Sequence, residues 1–172
     1  MGCQIFRKLM KGKEMELTGE EQAQLDALLQ IYREHVKVQE MKQYIQHGVI
    51  STYEHVERVT RVCFLVNRRW HLGANEFALI QGAYMHDFYL YDWHENDKSH
   101  RLHGYHHPKR SCENASIYFQ VEEDVRQMIL THMWPLTITR VPRSKEAWIL
   151  CLADKYVSLA ETLFMRKRVL CG

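Results

Sequence analysis

The sequence predicts an all-α fold, and three observations predict it. Apolar residues recur at helical spacing along almost the whole chain. Glycines number 8 and prolines only 3. No run shows the two-residue alternation of a half-buried strand. With 172 residues, 46% of them hydrophobic and 26% charged, the chain suits one folded domain with its own core and does not read as a disordered polymer.

Residues 20–47 carry Leu25, Leu28, Leu29, Tyr32 and Val36, one stripe of an amphipathic helix that Gly48 ends. Ser51 followed by Glu54 reads as a capping box opening a second helix, with Val56, Val59, Cys63, Val66 and Trp70 inward and Gly73 at its close. Asn75 caps a third helix, which runs with Phe77, Ile80 and Tyr84 to about Asp87. Residues 88–107 have no periodicity and form a long loop, of the kind that often carries function. Pro108 suits the first position of a fourth helix reaching about Phe119. A fifth, from about Glu122 to Met133, spaces Val125, Met128, Ile129 and His132 on one face until Pro135 stops it. Pro142 and Ser144 introduce the last helix, to about Arg168.

Composition removes several classes of function. The 23 basic and 21 acidic residues leave a net charge of +2, without the basic excess of a nucleic-acid binder. No stretch approaches the ~18 consecutive apolar residues of a membrane span. The five cysteines (Cys3, Cys63, Cys112, Cys151, Cys171) are scattered and never spaced Cys-x-x-Cys, unlike a disulfide scaffold or thiolate zinc site. The N-terminus lacks an apolar signal region, and Phe6 stands where a myristoylation signal wants Ser or Thr. A cytoplasmic location is expected, and neither nucleic acid nor membrane is expected as a partner.

Histidine is the unusual count. Of 11, six (His86, His94, His100, His103, His106, His107) fall between residues 86 and 107. Imidazole is the commonest metal ligand and titrates near neutrality. Four positions line up on separate predicted helices: His55, the adjacent pair His86 and Asp87, and Asp154. Asp154 has apolar neighbours one turn either way (Leu150, Cys151, Val157), and an ionised carboxylate there needs a cation or strong donors. A divalent metal held by these four residues supplies that compensation. Imidazole and carboxylate suit Mn, Fe, Zn, Ni or Co better than a thiolate-loving ion.

The order His, His-Asp, Asp on separate helices resembles the HD-domain phosphohydrolase superfamily. The likeness spans roughly residues 50–160 and is carried by Glu54-His55-Val56-Glu57-Arg58-Val59, Tyr84-Met85-His86-Asp87 and Leu152-Ala153-Asp154-Lys155. His107, just before Pro108, and His132 extend the pattern to that of the branches holding two metals. Those branches include bacterial dinucleoside-tetraphosphate hydrolases, cyclic-dinucleotide phosphodiesterases and a few di-iron oxygenases.

The resemblance implies a single helical domain over 49–172 with the metal site between its helices. Residues 1–48 would form an N-terminal segment whose helix packs on that core or mediates self-association. It further implies that Asp87 bridges the ions, that His55, His86 and Asp154 complete one, and that His107 and His132 hold the second. His106 is the alternative to His107, which is favoured for its expected N-cap position. The cofactor would be one or two divalent ions among Fe, Mn, Ni, Co, Zn and Mg. Asp87, His107 and His132 would be catalytic. If one metal alone binds, at the first four positions, His107 and His132 would instead serve acid–base chemistry or contact phosphate.

The implied activity is hydrolysis of a small phosphoester, as phosphomonoesterase or phosphodiesterase, on nucleotides or related compounds. A di-iron oxygenase and a non-catalytic nucleotide or metal sensor are the alternatives, since fold does not fix chemistry. Arg58, on the face of His55, Lys109, at a helix start with free N–H groups, and Lys155 are the expected phosphate-binding cations. His35, His47 and His71 read as surface or helix-end residues. His94, His100 and His103 either line the mouth of the site or are solvated. Trp93 and Trp134 are expected in core packing, and Arg166-Lys167-Arg168 complements the last helix's dipole.

Overall fold

The structure, a computed structural model, describes residues 16–94 and 102–170, with side chains through Leu163. Cys3, Phe6, His100 and Cys171 lie outside the described residues, as do the side chains of Arg166, Lys167 and Arg168. The described chain is helical: α1 Gly19–Arg33, α2 Val36–Glu40, α3 Thr52–Arg69, α4 Glu76–Met85, α5 His103–Tyr118, α6 Glu123–Thr131 and α7 Lys145–Leu170. The two expected cap signatures form. Ser51 Oγ accepts from the Glu54 amide while Glu54 accepts from the Ser51 amide, and Asn75 accepts from the Ala78 amide at 3.2 Å.

Two expectations about elements are corrected. The single helix over 20–47 is broken: α1 stops at Arg33, the short α2 and a 3-10 turn at Met41–Gln43 follow, and then two antiparallel strands, β1 Ile45–His47 and β2 Ile50–Ser51. Gly48, at φ 62°, turns this hairpin and does not end a helix. Strands of three and two residues are too short to display alternation, so the pattern gave no sign of them. The fourth predicted helix begins five residues before Pro108, at His103. At the sixth position the proline removes one hydrogen bond, to the Gly104 carbonyl, and the rest of the helix continues past it. Residues 103–107 carry no apolar stripe; the rings of His103 and His107 pack on the site, while Tyr105 and His106 are exposed.

Helix α3 is the axis of the fold. It packs on α4 and on α7, while α6 closes against α4, α5 and α7. Its Val56 and Phe64 join Leu25, Leu29 and Tyr32 of α1 in one apolar cluster, and its Val59 and Cys63 join Leu150, Ala153 and Val157 of α7 in another. Helix α1 is pinned further by Arg33, whose guanidinium donates to both Glu57 oxygens at 2.7 and 2.6 Å, with the Tyr84 hydroxyl donating to the same carboxylate at 2.8 Å. Between the two clusters, where α3, α4, α6 and α7 meet, the interior turns polar.

Candidate metal centre

His55, on the first turn of α3, is fully buried. His86 caps the C-terminus of α4 and Asp87 follows it; His132 caps the C-terminus of α6; His107 lies in α5 and Asp154 in α7. The fold brings all six together. Asp154 Oδ1 lies 3.3 Å from His55 Nε2 and 3.9 Å from His86 Nε2. Asp87 faces two ways: its Oδ2 is 3.3 Å from His86 Nε2 and 3.7 Å from His55 Nε2, its Oδ1 3.1 Å from His107 Nε2 and 3.6 Å from His132 Nε2. One carboxylate thus stands between two sets of imidazoles.

The far side of each ring fixes its tautomer. His86 Nδ1 donates to the Ala83 carbonyl at 2.8 Å, His132 Nδ1 to Ile129 at 2.7 Å and His107 Nδ1 to His103 at 3.0 Å. A carbonyl only accepts, so the proton sits on Nδ1 and the Nε2 lone pair faces the centre. For His86 and His132 the acceptors are last-turn carbonyls, short of intrahelical donors at a helix end. His55 Nδ1 donates instead to the buried Glu161 carboxylate at 2.9 Å. On the near side, His55 Nε2, His86 Nε2 and Asp87 Oδ1 are buried with no hydrogen-bond partner among the described residues.

Orphaned lone pairs converging with two carboxylates are the donor set of a divalent cation, and three-residue groupings around Asp87 and Asp154 have metal-ligand spacing. His55, His86, Asp87 and Asp154 would hold one ion, and Asp87, His107 and His132 a second.

Without an ion, protons do the compensating. Burial opposes charge on His55, yet Asp154 and Glu161 outweigh it and push the ring up to about 10. His86 is raised too, Asp87 overcoming its burial. Burial also opposes ionisation of Asp87 and Asp154, but the imidazoles around them hold both well below the usual carboxylate range. His132 is pushed down to about 3 by burial and by its neighbours His107 and His86.

Asp87 is steadied from outside the ligand set. Gln46 Nε2 donates to its Oδ2 at 2.7 Å, and the Tyr89 hydroxyl, itself 2.9 Å from Thr52 Oγ1, donates to Gln46 Oε1. A cavity of about 910 Å³ opens onto the centre, within the range of small-ligand sites. Trp93, Leu102, His103, Met133 and Leu136 form its apolar and aromatic wall, with His47 and Lys155 among its polar residues.

Several expectations are corrected here. His106 is exposed and His107 buried, but as the fifth residue of α5 and not as its cap. Lys109 sits inside that helix, where no backbone N–H is free; its side chain is 71% exposed, 3.7 Å from Glu113. Arg58 is engaged by Glu161 at 3.0 Å. Of the three expected cations, Lys155 alone lines the cavity, its Nζ donating to the His132 carbonyl at 2.7 Å. Trp93 stands in the cavity wall, stacked on His103 at 5.1 Å, whereas Trp134 packs on Trp148. His47 faces the site, its ring 5.6 Å from that of His55.

Gln46, His47 and Glu161 are the site residues the sequence reading missed. Glu161 had a legible signal, lying two helical turns beyond Asp154 on the same face. Gln46 had none.

Among the described residues no helix is long and apolar enough to cross a membrane. The chain gives no match to a curated protein or to a solved structure. A family model does match it: the HD domain, over residues 52–159.

Proposed function

The chain belongs to the HD-domain family, whose members are mostly hydrolases, and from that membership we propose that it is a metal-dependent phosphohydrolase acting on a small phosphoester, a nucleotide or a related compound. The observation that carries this reading is the division of Asp87 between two imidazole sets whose Nε2 atoms all face inward. Divalent ions held there would supply a water of lowered pKa and neutralise charge on the phosphoryl oxygens.

The protein's own residues do the rest. Gln46 and Tyr89 hold the Asp87 carboxylate in one orientation. Lys155, anchored on the His132 carbonyl, presents a cation to the phosphoryl group beside the centre. The wall of Trp93, Leu102, Met133 and Leu136 excludes bulk water and receives the organic part of the ester. Hydrolysis joins water oxygen to phosphorus and breaks the ester P–O bond, so the departing oxygen needs a proton. His103 and Lys155 line the same cavity and carry N–H groups to provide it. Buried free thiols at Cys63, Cys112 and Cys151 suit a reducing compartment such as the cytoplasm.

The experiment is phosphate release by metal-stripped protein reloaded with Mn or Fe. The substrates are mononucleotides and, with a coupled phosphatase because their cleavage frees no phosphate, dinucleoside polyphosphates and cyclic dinucleotides. Turnover that Asp87→Ala abolishes supports hydrolysis and identifies the substrate. Bound ions without turnover on any member of the panel contradict it.

A further inference from the structure

We propose that Glu161, held by Arg58, is a positioning residue that fixes His55 and makes the His55 side of the centre the tighter ion site. The inference rests on the ion site read above; it does not depend on what that site hydrolyses. Glu161 lies beyond the matched family segment, which ends at residue 159.

The four histidines are not held alike. His86, His107 and His132 each donate Nδ1–H to a neutral main-chain carbonyl. His55 alone among them donates to a carboxylate, Glu161 Oε2 at 2.9 Å. A carboxylate acceptor polarises the ring and makes its far nitrogen the stronger donor to a cation, and such outer partners commonly change metal affinity ~10–100-fold.

Glu161 is 3% exposed, and its second oxygen takes a 3.0 Å bond from Arg58, whose own side chain is 46% exposed. Arg58 thus reaches in from the surface to compensate a buried charge, and the carboxylate is fixed at both oxygens. Arg58 and His55 are three residues apart on one face of α3, while Glu161 comes from α7, so the contact also sets the approach of these two helices. The His107 side has no counterpart to Glu161 among the described residues. It offers two imidazoles and the shared Asp87, against two imidazoles and two carboxylates on the His55 side.

The test is Mn²⁺ binding by calorimetry to the full chain, stripped of metal, in wild type, Glu161→Ala, Glu161→Gln and Arg58→Ala. Wild type is expected to bind in two resolved steps. Glu161→Ala should weaken the tighter step ~10–100-fold and leave the weaker one within about threefold. Glu161→Gln keeps an acceptor without the charge and should fall between them, a rescue that a merely structural role would not produce. Proton spectra of the zinc-loaded protein give a second readout: the His55 Nδ1–H signal, held by an acceptor, is retained in Glu161→Gln and lost to solvent exchange in Glu161→Ala. Should the alanine variant fail to fold, the glutamine variant still decides, because wild-type affinity at both steps there overturns the proposal. So does a wild type that binds no Mn²⁺. A wild type that binds two ions and hydrolyses nothing leaves this inference standing and removes only the hydrolase reading.

Discussion

His107 and His132 point their Nε2 atoms at each other across 2.9 Å, while each donates its Nδ1 proton to a main-chain carbonyl. Two lone pairs at that distance repel unless a cation lies between or beside them. Burial, with the neighbouring His107 and His86, opposes a proton on His132 and holds it down at about 3. A divalent ion answers the need, because Asp87 Oδ1 is 3.1 Å from one ring and 3.6 Å from the other. His132→Ala should therefore remove one ion per chain and Asp87→Ala both, as counted by elemental analysis after gel filtration. Two ions retained by Asp87→Ala would show that this carboxylate is not shared.

Ion uptake should expel protons. His55 is pushed up to about 10 in the metal-free protein, against an ordinary 6.5, and it must be neutral to bind an ion. At about pH 8, binding should release roughly one proton per chain from this ring. Calorimetry in buffers of different ionisation enthalpy measures it; a buffer-independent heat contradicts it.

The same shifts set the stability of the metal-free fold. The contribution from His55, whose folded value is raised, is fully present below about 6.5 and is lost as pH rises through about 10. His132 acts oppositely: the unfolded ring binds a proton that the folded one refuses, so stability falls as pH drops from about 6.5 toward 3. Melting temperature without metal should peak between these windows. A monotonic rise up to pH 10 would contradict the His55 assignment.

Helix α1 belongs to the core that carries the site. Leu29 is fully buried in the cluster shared with Val56, Phe64 and Tyr84. Leu29→Ala should cost about 2–5 kcal/mol in urea unfolding without changing ion stoichiometry. A loss below about 1 kcal/mol would mean that α1 is a detachable appendage.

The cations divide by position. Lys155→Ala should raise KM for the phosphoester about tenfold or more, the scale of one charge-assisted hydrogen bond, and Lys109→Ala should leave it within about twofold. Equal effects at both would mean that phosphate binds elsewhere.

What was legible in the sequence was what one helix can encode alone. The Ser51–Glu54 capping box, the Asn75 cap and the inward faces of α3, α6 and α7 follow from periodicity, which turns His55, His132 and Asp154 inward; their reading as candidate ligands, with His86 and Asp87, rests on the order that resembles the HD family. The expected N-cap that favours His107 over His106 is not where His107 sits; what separates them is burial, since adjacent helical residues point about 100° apart. What stayed hidden depends on pairing distant segments. Gln46 reaches Asp87 from a hairpin too short to show alternation, and Arg58 looked like a free cation until α7 brought Glu161 to it.

The most direct measurement follows ion occupancy and phosphate release together while Mn²⁺ is titrated into metal-stripped protein, with the best phosphoester of the panel as substrate. The account predicts that release rises with the second ion, reaches its maximum at two per chain, and is absent in Asp87→Ala at every concentration. Full activity with one ion bound, or none with two, would contradict it.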